Sequence, residues 1–600
     1  TKDDFLFTEA PYKEIAEQKT QFARDQVTAQ LAEIAKSLGV TGFKQLCAQY
    51  DKGLSEQVAE GRHLTFPLVN TDEKISLDPG DWHIDSTGIY KCIGLREEYA
   101  CTHPIAPVGR LTNIDTGMTK LMIAFERGGS IRYLIRDKRD LFDSRKIIEL
   151  SAFDVAVTSK TAANLSQFLC EIEDLNYEVI PEQDSVGRLG WLNDGRFSPY
   201  VQNLAFDGDA AYGTIFGAIR EQGDFEKWRA CALRCRRQSV TAQIMLAASF
   251  ASVLIKRLGG LSFFVHLWGV DSGTGKTVAL MLAASVWGDP EIGRYPQTFN
   301  ATQVGHEKTA GFLGNIPLCI DELQLSKDSH GRSKFDVYQL SQGVGRTRGN
   351  KVGGIDKTPT WSLCILTTGE SPIVHLNAGA GAVNRVIDIE CKADRCVITD
   401  GAAVCKVIKS HFGGAGKRFI TGLTDAHWTR AQAMYDAYFR DLSAGETTEK
   451  QAMAAAFILT ADRLADELIY RSGEWLTCAQ MSEFLKTKVS VSAGERGYAY
   501  LCDWVAINAG KFSGESGGDV YGVIDGDYAY INRTVFRNAC KDGGFDESAI
   551  LSWLKVKSLI QTRGRAFTKP KKIGGVPVEC VVMRMADFTT EEPNEPDELL

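Results

Sequence analysis

The stretch "HLWGVDSGTGKTVAL", His266 to Leu280, decides how this chain is read. Its second half has the form of a phosphate-binding loop, G-x-x-x-x-G-K-[ST]. The strict pattern wants Gly where Val270 stands, and the nearest Gly is one step earlier, at Gly269. The apolar run "LSFFVHLW" before the loop reads as a buried strand, and "KTVALMLAASVWG" after it as a helix. Such a loop needs backbone N–H groups turned inward and a helix N-terminus aimed at the anion. Gly273 and Gly275 permit positive φ and close backbone approach. Lys276 would contact the β- and γ-phosphates, and Thr277 would place its hydroxyl on Mg2+. The candidate nucleotide contacts are Val270, Asp271, Ser272, Gly273, Thr274, Gly275, Lys276, Thr277 and Val278. A chance "GTGK" turn is the alternative, and the flanking strand and helix argue against it. Val270 is a tolerable departure, because the first motif position lies outside the tightest part of the loop.

Further along, "NIPLCIDEL" is an apolar strand ending in Asp321-Glu322. Asp321 would hold the Mg2+ shell, with Thr277 as the other metal candidate. Glu322 would orient and deprotonate the water that attacks the γ-phosphate. Pro317 stands at the strand's start, where a strand tolerates it. Loop and acidic strand end together point to a nucleoside triphosphatase. A third apolar strand, "WSLCILTTGES", ends in Thr367-Thr368, and a polar residue there can contact the attacking water or γ-phosphate. Thr368 is the preferred candidate; a plain strand-end Thr is the alternative. "AGAGAVNRVIDIE" puts Arg385 just before a strand, at a domain edge from which a guanidinium can reach a neighbouring subunit's phosphate. A surface salt bridge is the competing account.

Six hundred residues exceed one core, and at about 150 per domain roughly three to five domains are expected. The net charge of −8 neither favours nucleic acid nor excludes it, since binding needs only a local basic surface. The fifteen Cys contain no C-x-x-C, so a reduced, intracellular protein fits better than a disulfide or zinc scaffold. The apolar run at 261–268 is far too short to span a bilayer, and no signal core opens the chain, so no membrane partner is expected.

The fold class expected is multidomain α/β. Residues 1–80 read as helical, with "YKEIAEQKTQFARDQVTAQLAEIAKSLG" rich in helix formers. Residues 81–205 read as a β-rich α+β domain, from short alternating runs such as "GIYKCIG" and "SIRYLIRDK". Residues 206–395 form the ATPase core, a mostly parallel doubly wound sheet with preceding helices. Residues 396–478 form a helical lid or linker. Residues 479–586 read as helix, Gly-Gly turn, helix and two β runs around "KKIGG", an order that suits a winged helix. The acidic end, 587–600, should be disordered.

Two basic stretches suggest DNA. "SQGVGRTRGNKVGGIDKTPTW" is a Gly-rich hairpin carrying Arg346, Arg348, Lys351 and Lys357; cations there can track a phosphate backbone without reading bases. The C-terminal block holds Lys555, Lys557, Arg563, Arg565, Lys569, Lys571 and Lys572 with no acid from Ser548 to Val578. Solvated basic faces are the alternative for both. A third cluster, "WRACALRCRR", could face nucleic acid or the acids of a neighbouring domain.

The stretches "GIYKCIG", "HPIAPVGRLTNIDTG", "RLGWLNDGRFSPY", "HLWGVDSGTGKT", "LCIDEL", "QGVGRTRG", "LTTGES" and "NRVIDIE" cover about residues 85 to 395. In that order they resemble a family of P-loop ATPases of phages and mobile elements, long catalogued as a domain of unknown function. The family includes the self-loading replicative helicases of staphylococcal cassettes and pathogenicity islands. "HFGGAGKRFI" and "GGFDESAILSWL" extend the likeness toward the C-terminus. The resemblance implies an AAA+ module related to MCM and superfamily 3 helicases, active as a ring, with ATP and Mg2+ as cofactors. It implies that Lys276, Thr277, Asp321, Glu322 and Thr368 serve one subunit's ATP while Arg385 acts on the next. The hairpin at Arg346 to Lys351 would be the pore element, and Arg463 the candidate second sensor. Expected partners are single-stranded or forked DNA, further copies of the chain in a hexamer or similar ring, and replication initiator or loading proteins. A primase-helicase and a regulatory ATPase without unwinding activity are the competing functions.

Overall fold

The computed structural model describes the chain except for residues 60–62, 70, 86, 94–95, 327–334, 350–353, 356–357, 375–379, 513–518, 565 and 586–600. Lys351, Lys357, Arg565 and the acidic end therefore lie outside the described residues. The rest forms two compact units. One comprises Thr1–Gly187, Leu192–Asp194 and Val201–Asp209; the other comprises Arg188–Trp191, Gly195–Tyr200 and Ala210–Leu600.

The first unit begins with helices Lys2–Phe7, Ala10–Ala16, Gln21–Ser37 and Phe43–Ala59. They close over a small core that includes Phe5, Tyr12 and Phe43. The helical reading of residues 1–80 needs correction beyond Ala59, because Leu64–Pro67 and Lys74–Leu77 pair as antiparallel strands. Leu64, Phe66, Ile75 and Leu77 are buried in the core of the β-rich region. Four-residue strands are too short to show a period of two among polar neighbours, so only the partner reveals them. The main sheet of this unit has the order Ala205–Phe206, Glu182–Val186, Ile105–Asn113, Thr119–Arg127, Ser130–Asp137. Helix Ala162–Leu175 contributes Leu165, Phe168, Leu169 and Ile172 to the same core.

In the second unit, helices α1 (Phe225–Gln238) and α2 (Val240–Ala251) precede the main sheet. The chain then runs through β1 (Phe263–Trp268), α3 (Lys276–Ala284), β2 (Gln297–Thr298), α4 (Gln303–Leu313) and β3 (Leu318–Asp321). It continues through α5 (Val337–Ser341), β4 (Cys364–Gly369), β5 (Val386–Glu390) and, later, α6 (Glu449–Ala465). The five strands are all parallel, in the order β2-β3-β4-β1-β5. Strands β3 and β4 are buried at every residue, which is what a parallel sheet covered on both faces requires. All α2 residues from Ala242 to Ala251 are buried, as its all-round apolar sequence anticipates.

The "WRACALRCRR" cluster lies on α1 and faces the acids of the helical region. Arg236 is buried against the equally buried Asp462 of α6 and donates to the Glu474 carbonyl, while its guanidinium stacks on Tyr470. Arg237 pairs with Glu474 at 2.7 Å. Gln243 and the Leu476 N–H also donate to Asp462, so its carboxylate is fully engaged.

At the C-terminus, helices Arg533–Asp542 and Glu547–Val556 flank the Gly543-Gly544 turn. Strands Lys569–Ile573 and Val576–Arg584 then pair antiparallel across Gly574-Gly575, both at positive φ. This is a helix-turn-helix followed by a hairpin wing, with its own core around Phe536, Leu554 and Val581.

Breaking the Arg236–Asp462 pair leaves a buried carboxylate uncompensated. Arg236→Met should therefore cost about 3–5 kcal/mol in denaturant unfolding, and adding Asp462→Leu should recover most of that loss. Equal stability of the single and double variants would contradict this account.

Candidate nucleotide site

Parallel pairing sets the geometry: β1, β3 and β4 all deliver their following loops to one edge of the sheet. The register aligns Leu267 with Thr368 and Ile320 with Thr367, so the three strand ends stand side by side.

The loop from Gly269 to Gly275 joins β1 to α3. A Cβ on Gly269 would stand 2.2 Å from the Cys391 carbonyl oxygen, a contact no side chain tolerates. The adjacent Val270 is 84% exposed. The position that must be Gly is thus one residue earlier than the strict motif states, because the backbone after β5 closes on Gly269. Gly275, at φ 85°, starts α3, and a Cβ there would meet the Ile398 backbone at 2.7 Å. The Val397 N–H donates to the Thr274 carbonyl at 2.8 Å, and the Ala393 N–H to the Asp271 carboxylate at 3.2 Å. The segment after β5 therefore braces the loop from behind.

Lys276 Nζ donates to the Gly269 carbonyl (3.0 Å), the Asp271 carbonyl (2.8 Å) and the Thr274 hydroxyl (3.1 Å). The ammonium is held at the loop mouth by neutral acceptors, the partners phosphate oxygens would displace. Asp321 is buried at the end of β3. Its Oδ1 accepts from Thr277 Oγ1 at 3.2 Å and from Thr368 Oγ1. The donor set fits Mg2+: a hydroxyl at a helix start beside a carboxylate, both hard oxygens. Glu322 is exposed and sits at φ 64°, a strained conformation for a residue with a Cβ.

The two threonines separate cleanly. Thr368 reaches Asp321, whereas Thr367 bonds His266 Nδ1 at 2.8 Å on the other face. His266 Nε2 meets the Ser371 carbonyl at 3.1 Å. Burial holds this imidazole down at about 4.

Arg385 is not brought to this cluster. It precedes Val386, which pairs with Phe264, so it stands level with the start of β1. The loop follows the end of β1, five residues and about 17 Å further along the strand. Arg385 Nη1 donates to the Gly381 carbonyl at 3.0 Å, and its guanidinium lies 4.6 Å from the Tyr338 ring centroid. Arg463 stacks over Trp475.

The basic hairpin pairs Val344 with Thr360 and Gly349 with Ile355, and leads into β4. Arg346 is exposed, whereas Arg348 turns back to Glu307 of α4 at 2.8 Å. Arg348 was expected to face DNA; its guanidinium is committed to a buried carboxylate instead. In the C-terminal block Lys572 and Arg563 are exposed. Lys571 pairs with Asp525 (2.7 Å), Lys569 donates to Gln561 (3.0 Å), Lys557 pairs with Glu495 (3.4 Å) and Lys555 lies over Phe567.

Residues 82–361 match the domain of unknown function DUF927. Residues 492–587 match the Cch helix turn helix domain. The mobile-element resemblance read from the sequence is thus borne out. No curated protein matches the chain. Among solved structures, one described as SCCmec type IV Cch, an active helicase, aligns over 84% of this chain and 98% of its own at TM-score 0.60 and 18% identity. At that identity the likeness is one of fold. The A-form apo structure of the NrS-1 C-terminal region covers 79% of this chain and 96% of its own, at 9% identity and a TM-score of 0.28 that supports no argument.

Gly269→Ala should unseat the loop and weaken nucleotide binding by more than about tenfold, since no small shift clears a backbone carbonyl; fluorescent-nucleotide titration reads it. His266 predicts an acid sensitivity. The unfolded chain takes up a proton near pH 6.5 that the folded chain refuses until about 4. Stability is therefore intact above 6.5 and falls as pH drops, by about 2 kcal/mol at pH 5 from this residue. His306, also held at about 4 by burial, adds in the same direction. Urea unfolding at pH 7.5 and 5 should show a smaller difference in His266→Gln than in the unsubstituted chain.

Proposed function

We propose that this chain is an ATP-dependent, ring-forming DNA helicase of a phage or mobile element. It would hydrolyse ATP in a bacterial cytoplasm to translocate on and unwind DNA during replication. The observation that carries the reading is the convergence of Lys276, Thr277, Asp321 and Thr368 at one edge of the parallel sheet. A helix-turn-helix domain in the same chain supports DNA as the partner. The all-parallel five-stranded sheet and the fold likeness to a structure described as an active helicase support this reading.

In this reading the loop N–H groups and Lys276 bind the β- and γ-phosphates. Thr277 and Asp321 would hold Mg2+, which supplies charge neutralisation on the phosphates. Thr368 fixes the Asp321 carboxylate, and Glu322 orients and deprotonates the attacking water. Arg385, at the opposite sheet edge from its own loop, serves the γ-phosphate of a neighbouring copy. Exposed Arg346, with Lys572 and Arg563, supplies contacts to the DNA backbone. Among the described residues no helix is long and apolar enough to cross a membrane.

The primase-helicase reading has less support. Priming needs a clustered acidic metal site, and at the two Asp-Gly-Asp sequences, 207–209 and 525–527, Asp207 is buried against Asn113 and Ser185 while Asp525 is paired with Lys571.

Lys276→Ala should abolish both ATPase and unwinding of a forked duplex; unwinding that survives refutes the assignment. Lys276→Ala and Arg385→Ala should each be inactive alone. Mixed in equal amounts they should regain ATPase up to about one quarter of wild type, since that share of random interfaces pairs an intact Lys276 with an intact Arg385. No recovery in a mixture shown by light scattering to form mixed rings would remove Arg385 from the trans role.

A further inference from the structure

Glu307 is an acid on the helix "QVGHEKTAGFL" whose side chain is fully buried. Three groups converge on its carboxylate. Arg348 of the hairpin pairs with Oε2 at 2.8 Å, and the Arg346 backbone N–H donates to the same oxygen at 3.3 Å. Gln339 of α5 donates to Oε1 at 2.8 Å. The residue before Gln339 is Tyr338, whose ring carries the Arg385 guanidinium. Helix α5 meets the hairpin a second time, where the Trp361 indole N–H donates to the Leu340 carbonyl at 2.8 Å.

Hairpin and Arg385 thus share one short helix, held from both sides. They also share one edge of the sheet: Trp361 precedes β4 and Arg385 precedes β5. A buried carboxylate with one ion pair is costly to maintain unless every partner stays in place. A shift of the hairpin that moves Arg348 must therefore draw Glu307, Gln339 and α5 with it, and α5 carries the seat of Arg385.

The geometry points to Glu307 as a positioning residue that couples the DNA hairpin to Arg385 through Gln339 and Tyr338. This rests on the helicase reading above. Glu307 touches neither nucleotide nor DNA; it transmits the hairpin's position to the residue that completes the neighbouring site. Arg348 acts here as the hairpin's anchor, leaving Arg346 to face the phosphate backbone.

The test uses the full chain with three readouts: ATPase without DNA, ATPase with saturating oligo-dT, and oligo-dT affinity by fluorescence anisotropy. Glu307→Gln keeps the size and removes the charge. Gln339→Leu leaves the Arg348–Glu307 pair intact and cuts only the branch to α5. Both should retain DNA-free turnover within about twofold and lose about 2- to 30-fold of the stimulation by oligo-dT. Gln339→Leu should do so with unchanged oligo-dT affinity, which a merely destabilised hairpin would not allow. Full stimulation in Gln339→Leu overturns the proposal, as does a loss matched by an equal loss of DNA-free turnover. Failure of the wild-type chain to respond to oligo-dT at all would instead refute the helicase reading itself.

Discussion

The structure turns on the parallel pairing of β1 between β4 and β5. From Phe264 to Trp268 each β1 residue is registered against both neighbours, Val265 against Leu366 and Ile387, Leu267 against Thr368 and Ile389. A parallel sheet sends all its strand exits to one edge and all its entries to the other. The exits carry the phosphate loop, the Asp321 carboxylate and Thr368. The entries carry Arg385 and the hairpin. The loop and Arg385 are therefore separated by the length of a strand, and Arg385 does not reach its own chain's loop.

That separation explains how polar groups are distributed in a buried sheet. His266, Thr367 and Asp388 lie in one cross-strand row. His266 bridges Thr367 and the Ser371 carbonyl, which ties down the chain just beyond β4. Burial raises the Asp388 carboxyl to about 7, with the Ile373 and Val374 backbone N–H groups opposing the shift. These groups face away from Asp321 and hold the strand exits in register. The site is built by polar residues on one side of β4 and braced by polar residues on the other.

Much of the site was legible without coordinates. Lys276, Thr277, Asp321 and Thr368 follow from motif spacing, because each needs only a strand end of the right polarity. The choice of Thr368 over Thr367 follows from alternation along a strand once the neighbouring carboxylate is known. Other features left no local trace. Glu307 is one acid among the polar residues of α4, and nothing nearby marks it as buried. Gly269 looked like a misplaced motif glycine until Cys391 was seen to close on it. The strands at 64–77 were hidden in a stretch that composition alone assigned to helix.

The sequence by itself determined the strand, glycine-rich loop and helix, the acidic strand end, the polar strand tip and the helix-turn-helix with its wing. These depend on period, turn glycines and local polarity, which are properties of short segments. Only the tertiary structure decided which cations are available and which are committed: Arg236 to Asp462, Arg348 to Glu307 and Lys571 to Asp525. The partner in each case lies tens to hundreds of residues away. A charge in a sequence states what a residue can do; the buried or half-exposed partner across the fold states what it does.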